Sequence, residues 1–389
     1  MKKLNIAMVC DSVTNPTGGS FISTLRFAEL LSKKGHKVVF ISAKSPLRPN
    51  IDSYMGIKIY RLFSFFIPKT QGPVYISLPR QKQIKKILED EKINILHVIM
   101  PFPASIQAIS AAKQLGIKVV AHSHTQPENI FYHVPKIAGK EKLNHYFYKY
   151  LLWIYKKAEI VICPSKFAEK LLKRQDPTIN TTIISNGVDI SKFKKLSPKS
   201  FLKKYNLNEK DIRLLFIGRL HPEKNVKVLI ESLPYISKKF ERFHLNIVGV
   251  GHQREYLEKL AEELEVKDKI TFFGKLSEKD LIASYNACDV FVLPSIAELE
   301  GMVVLEAMAC AKPIIIADSL ESASPDFVDK NGFTFQPHNP KDLADKILIL
   351  LKDNKMRKKM GNESYKQAKK YDINKSIEKL EKVYLKALG

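Results

Sequence analysis

The sequence predicts an α/β protein of two doubly wound domains, each a parallel sheet with helices packed on its faces. Three observations lead there. The chain has 389 residues, more than one ordinary domain holds. Short apolar runs rich in β-branched residues alternate with amphipathic stretches from end to end. The runs are continuous rather than alternating with polar residues, as strands buried on both faces are.

In the first half the apolar runs Leu4–Cys10, Lys37–Ala43, Ile57–Leu62, Ile95–Met100, Lys118–Ala121, Ile160–Pro164 and Thr182–Ser185 read as strands. Phe21–Lys34, Leu78–Glu91 and Ile106–Leu115 between them carry helical periodicity. Lys142–Lys157 reads as a core helix with Leu143, Phe147, Leu151 and Ile154 on its buried face, whereas residues 61–69 and 72–78 read as an irregular, basic and aromatic segment. A second series of strands follows at Arg213–Ile217, His244–Val248, Ile270–Phe273, Val290–Leu293, Ile314–Ala317 and Phe333–Phe335. Its helices are Val226–Lys238, Gln253–Leu264, Glu278–Ala287, Val303–Cys310 and Pro340–Leu351. The charged stretch Asp189–Ser200, with Pro198 and no apolar period, marks the change of domain. The expected division is 1–195 and 196–372, with a lysine-rich amphipathic helix at 373–389 that packs back on the first domain.

Composition narrows the function. Four widely spaced cysteines, none in a Cys-x-x-Cys pair, argue against a disulfide framework or a zinc ribbon. No apolar run approaches the roughly 20 residues of a membrane span, and Leu4–Cys10 is too short for a signal-peptide core. The net charge is +24, distributed as +19 over residues 1–198, −2 over 199–351 and +7 over 352–389. Without a recognisable nucleic-acid module, the expected partner of the basic half is an anionic membrane surface and not nucleic acid. The expected location is cytoplasmic, peripheral on the inner face of the cell membrane.

In doubly wound sheets ligands bind beyond the carboxyl ends of the strands. Gly18-Gly19 joins the first strand to the first helix, where backbone N–H groups can approach an oxygen-rich ligand; alone it also fits an ordinary βα turn. Gly249-Val-Gly251 lacks the third glycine of a dinucleotide fingerprint, with Arg254 in its place, and no lysine-bearing phosphate loop is present. Without an Asp-x-Asp after a strand there is no carboxylate clamp for a metal-held nucleotide sugar, so neither metal nor cofactor is expected. Gly218-Arg219-Leu220, with Lys224 at the entry of the next helix, offers a guanidinium and an ammonium for one diphosphate, against the alternative of a surface ion pair. Glu298 and Glu306 flank a helix start at Gly301-Met302-Val303, and carboxylates in that position suit sugar and ribose hydroxyls.

With these residues the chain resembles the family-4 retaining glycosyltransferases of the GT-B fold over nearly its whole length, and within them the lipid (diacylglycerol) α-glycosyltransferases. Glu298-x7-Glu306 followed by Ala307–Pro313 is similar to the family signature. Asn186-Gly187-Val188-Asp189, Gly218-Arg219-Leu220, Glu223-Lys224-Asn225 and Phe273-Gly274 agree in order and spacing. The resemblance implies two Rossmann-like domains, acceptor-binding and then donor-binding, and a nucleotide-sugar donor whose diphosphate Arg219 and Lys224 hold. Glu306 then accepts from the ribose, Glu298 contacts the transferred sugar, Gly18-Gly19 approach the phosphate, and Lys275-Leu276 flank the base. The family's donor-sugar histidine matches His124, ahead of the neighbouring His122. Asp11 resembles an acceptor contact of lipid-glycosylating members; an Asx-turn is the alternative.

Departures from the pattern are Ala311, where glycine is usual, read as a packing change; Leu299-Glu300 for a small or aromatic pair; and Ser319–Ser324 without paired glycines. The activity implied is transfer of a hexose, glucose first, from a UDP-sugar to a membrane lipid such as diacylglycerol. The alternatives are a polysaccharide or small-molecule acceptor, or an inactive anion-binding module.

Overall fold

The computed structural model describes residues 3–11, 19–46, 48–67, 74–127 and 140–389. They form two compact units, one running to Asn186 and regaining Asn374–Gly389, the other spanning Gly187–Ile373. The expected change at 195 falls inside the second unit. Val188 donates its N–H to Tyr371 O at 2.8 Å and accepts from Ile373 N–H at 3.1 Å, and Phe193 is buried in the second core.

In the first unit the strands are β1 (Asn5–Val9), β2 (Lys37–Ala43), β3 (Ile51–Tyr54), β4 (Ile57–Leu62), β7 (Ile95–Val98), β8 (Lys118–His122), β9 (Ile160–Cys163) and β10 (Thr181–Ile183). Their order is β10-β9-β8-β7-β1-β2-β4-β3, parallel except for β3. Val, Ile and Ala dominate the central strands because helices α1 (Gly19–Lys33), α2 (Gln81–Asp90), α3 (Pro103–Gln114), α4 (Lys140–Tyr155) and α5 (Lys166–Gln175) cover them. The segments at 61–69 and 72–78 are, where described, not irregular: Arg61 and Leu62 end β4, and β5 (Ser64–Ile67) pairs antiparallel with β6 (Val74–Ser77). The buried face of α4 is Tyr148, Leu151, Leu152, Ile154 and Tyr155, while Leu143 is exposed. Leu151 and Ile154 are buried as expected and Phe147 partly so, whereas Leu143 faces out and Tyr148 and Tyr155 fill the core beside them.

The C-terminal helix α13 (Ile373–Leu388) docks in this unit through polar anchors set among apolar contacts. Buried Glu381 accepts from Lys34 and from His36 Nε2, the latter at 2.9 Å. His36 Nδ1 accepts the Leu4 N–H at 3.1 Å, so the ring proton sits on Nε2 and points at the carboxylate. Tyr384 Oη lies 2.7 Å from His97 Nδ1.

The second unit carries β11 (Ile212–Ile217), β12 (Phe243–Val248), β13 (Ile270–Gly274), β14 (Val290–Leu293), β16 (Ile314–Ala317) and β18 (Gly332–Phe335), all parallel in the order β13-β12-β11-β14-β16-β18. Helices α6 (Lys199–Lys204), α7 (Val226–Ser237), α8 (Arg254–Glu263), α9 (Glu278–Ala287), α10 (Met302–Ala309), α11 (Pro340–Lys352) and α12 (Asn354–Ala368) surround it. A short parallel pair, β15 (Ala297–Glu298) and β17 (Glu321–Ser322), lies outside the main sheet.

Helix α10 ends on Ala311 at φ +58°, with Lys312 N–H returning to Ala307 O at 3.1 Å. Glycine is usual at this left-handed position for its backbone freedom, so the substitution is conformational rather than the packing change expected. A side chain on Gly361 would instead meet Ala311 O at 2.3 Å. Ala311→Gly is expected to stabilise the second unit by about 0.5–1 kcal/mol and Gly361→Ala to destabilise it, both read from denaturant midpoints.

Candidate active site

A parallel sheet sends every strand's carboxyl end to one edge, and in the second unit the donor-side candidates collect there. Gly218 and Arg219 leave β11, Lys275 and Leu276 follow β13, and Pro294–Glu298 follow β14. The loops after β11, β12 and β13 are tied together by Gly218 N–H to Val248 O (3.0 Å), Leu220 N–H to Val250 O (3.0 Å) and Gly249 N–H to Gly274 O (2.8 Å). A Cβ on Gly249 would fall 1.8 Å from Gly218 O, and one on Gly251 2.3 Å from Leu220 O. These glycines let two backbones touch, which accounts for a partial dinucleotide pattern without a dinucleotide.

Pro222–Lys224 form one tight turn closed by Asn225 at φ +50°. It sets Lys224 against Glu298, Nζ to Oε1 at 2.5 Å, with both side chains mostly buried. Glu223 points inward, almost wholly buried, and accepts from Arg219 Nη2 at 3.2 Å; the guanidinium remains half-exposed. The Glu223 carbonyl also accepts from Ile296 N–H (2.9 Å) and Ser295 Oγ (3.2 Å), locking this turn to the strand that carries Glu298. Sequence reasoning assigned Glu223 no role. Its signal is its place, one residue before the site lysine in a turn whose charged side chains cannot all face water.

Glu298 is fixed by its own strand: its carbonyl accepts Ala323 N–H at 2.8 Å, and Ser319 Oγ donates to Ile296 O at 2.6 Å. Gly301 caps α10 at φ +90°, where a Cβ would meet Ser324 Oγ at 2.4 Å. Met302 and Val303 open the helix, presenting its positive end. Glu306, one turn in, is buried and accepts from Tyr285 Oη at 2.8 Å. Thus the structure joins Arg219–Glu223 and Lys224–Glu298 through one turn, while Glu306 is held separately by α9.

In the first unit Gly19 opens α1; Gly18 lies outside the described residues. Asn186 is buried at the end of this unit. Asp11, just past β1, is buried and accepts the Ser77 hydroxyl and, at 3.3 Å, the Ser77 N–H, so it pins β6 to the sheet edge. Burial pushes its carboxyl up to about 6. His122 and His124 stack with centroids 4.0 Å apart, and His97 stacks on His122 at 5.6 Å. His122 is fully buried while His124 is partly exposed as a residue. Burial drives His97 down to about 3, His124 to about 4 and His122 well below the ordinary imidazole range, so all three are neutral near pH 7.

With this geometry in view, residues 17–192 match the Glycosyltransferase Family 4 family and residues 198–367 match Glycosyl transferases group 1. The chain is 24% identical over 320 residues to alpha-monoglucosyldiacylglycerol synthase of Streptococcus pneumoniae (strain ATCC BAA-255 / R6), covering 80% of this chain and 70% of that protein. It is 23% identical to N-acetyl-alpha-D-glucosaminyl L-malate synthase of Bacillus anthracis, over 99% of this chain and 98% of that one. Among solved structures, sucrose-phosphate synthase from Thermosynechococcus elongatus superposes with a TM-score of 0.81 at 20% identity, covering 99% of each chain. Anabaena Alr3699/HepE in complex with UDP and glucose gives 0.77 at 18% identity, over 98% and 99%.

The neutral histidines make stability depend on pH. Their folded pKa values lie below the unfolded value near 6.5, so an unfolded chain takes up protons that the native one refuses as pH falls through about 6.5 to 4. Stability is expected to fall there by about 1.4 kcal/mol per pH unit for each of the buried rings His97 and His122, with Asp11 opposing by one group. Denaturant titrations at pH 7 and 5 check this, and His122→Phe should flatten the slope; an acid slope unchanged by that substitution would contradict it.

Proposed function

Because the chain belongs to the family-4 glycosyltransferases of the GT-B fold, we propose that it moves a hexose, glucose first, with retention from a UDP-sugar to a membrane lipid such as diacylglycerol. The observation that carries the donor half of this reading is the Arg219–Glu223, Lys224–Glu298 turn at the sheet's carboxyl edge. Two cations held in place by carboxylates are preorganised for the charge that develops on a departing diphosphate, a task done without metal in this proposal. Glu298, already ion-paired to Lys224, contacts the sugar as the bond to phosphate lengthens. Neutral His124 offers hydrogen bonding to sugar or acceptor without adding charge. In the same-face mechanism a donor phosphate oxygen helps to take the acceptor's proton, and no side chain is named as general base.

The solved Alr3699/HepE complex with UDP and glucose supports the donor choice. For the acceptor, the support is the alpha-monoglucosyldiacylglycerol synthase similarity and the surface of the first unit. Phe63, Phe65 and Phe66 are exposed on and beside the β5–β6 hairpin, as is Leu78. The chain then continues into α2, where Arg80, Lys82, Lys85 and Lys86, with Glu89 and Asp90 at one end, line an open groove. On α4, Trp153 is exposed beneath Lys157, whose Nζ is 4.2 Å from the ring centroid. Rings and cations together suit the headgroup layer of an anionic bilayer. No helix among the described residues is long and apolar enough to cross a membrane. A second reading, a soluble acceptor, draws on the nearly full-length match to the L-malate synthase.

Lys224→Ala is expected to lower kcat/KM for the sugar donor by about a hundredfold or more, in the range of losing one preorganised charge donor. Co-sedimentation with vesicles containing phosphatidylglycerol should exceed that with phosphatidylcholine alone and weaken as salt rises. Equal recovery with both, together with turnover on water-soluble acceptors, would favour the second reading.

A further inference from the structure

We propose that Tyr285 is a positioning residue for the nucleotide, acting through Glu306; the proposal rests on the reading of Glu306 as the group that accepts from the donor's ribose. Tyr285 is fully buried near the end of α9, and its Oη donates to Glu306 Oε2 at 2.8 Å. A carboxylate on a helix can rotate about its side-chain bonds; one strong bond from a fixed phenol sets the plane in which its oxygens lie.

The phenol is itself immobilised from several directions. Phe193 meets its ring edge-on at 5.8 Å between centroids, and Phe291 packs at 5.9 Å. The next residue, Asn286, accepts Leu196 N–H at 2.6 Å and donates to Lys194 O at 3.1 Å and Ile282 O at 3.0 Å. Lys312 Nζ, just beyond α10, donates to Asn286 O at 2.9 Å and Cys288 O at 2.7 Å. Thus the segment that begins the second unit, the end of α9 and the far end of α10 are fastened around one phenol. Apolar packing alone asks only for a ring; phenylalanine would fill the same space and leave Oε2 without this donor. The hydroxyl is what connects the packing to the site.

The test is a double-mutant cycle on the full-length chain, with UDP binding measured by calorimetry, GDP and ADP in parallel, and steady-state kinetics on the sugar donor. Tyr285→Phe is expected to raise Kd and donor KM about tenfold while kcat stays within about twofold, because a hydrogen bond to a charged group is lost only from binding. In a Glu306→Ala background the same substitution should change neither, since its target is gone. Tyr285→Phe without effect where Glu306→Ala weakens binding would overturn the positioning role. So would an equal loss in both backgrounds, which would mark the hydroxyl as a general support of the fold. Should Glu306→Ala leave nucleotide affinity unchanged, the ribose reading of Glu306 fails and this inference with it.

Discussion

The parallel pairing of strands that are apolar on both faces is the constraint from which the rest follows. Such strands are stable only beneath helices, and the return through a helix brings each new strand in with the same direction. The carboxyl ends of all the parallel strands therefore reach one edge of their sheet. In the second unit that edge receives Gly218, Arg219, Lys275 and the stretch up to Glu298 from β11, β13 and β14. Residues far apart in sequence meet there because the interior has no place for them. Backbone contact does the fine adjustment: glycines at 249 and 251 let the β12 loop lie against the β11 loop, and the Glu223 carbonyl ties the cationic turn to Ile296.

Charges near these edges are managed by pairing, and imidazoles by neutrality. Glu223 takes a carboxylate into the interior, where it is held by Arg219 and faces His221 Nδ1 at 3.6 Å. Lys224 and Glu298 neutralise one another in a mostly buried pair. On the donor reading proposed above, a ligand that offers phosphate oxygens to the cations and hydroxyls to the acids satisfies both sides of these pairs. In the first unit the stack of His97, His122 and His124 avoids charge altogether, and Tyr384 from the C-terminal helix hydrogen-bonds to its inner end.

The central strands were legible because a continuous apolar run admits few other folds, and Lys37–Ala43, Ile57–Leu62, Val290–Leu293 and Ile314–Ala317 have the ends the sequence predicts. The β5–β6 hairpin was not, because its pairing places Phe65 and Phe66 opposite Ile76 and Tyr75 on an exposed ribbon with no burial period to read. The partial miss on α4 has a similar cause: three- and four-residue spacing identifies Leu151 and Ile154 but does not tell that Tyr148 is core and Leu143 exposed when aromatics occupy several faces. At the site, Lys224 and Glu298 are visible as a motif, whereas their mutual contact is not. Tyr285 was missed because a tyrosine at a core position carries no sign, in sequence, of where its hydroxyl ends.

The charge asymmetry gains meaning from where the acids of the first unit went. Asp11 is turned inward onto Ser77. Glu91 is buried between Lys37, Lys58 and Tyr60, whose hydrogen bonds hold its carboxyl down to about 2 against the cost of burial. Asp52 meets Arg61, which is itself buried. Two acids of this half, Asp11 and Glu91, are thus buried and Asp52 is partly so, and from the C-terminal segment Glu381 is buried against Lys34 and His36. The lysines paired with Glu91 remain about half-exposed, with side chains at 47%. Pairing leaves the formal +19 of residues 1–198 unchanged, and the lysines carry it outward while the carboxylates they meet lie beneath the surface. The membrane reading proposed above draws on that charge, since attraction to an anionic plane sums over many exposed lysines whereas a small anion meets only a few.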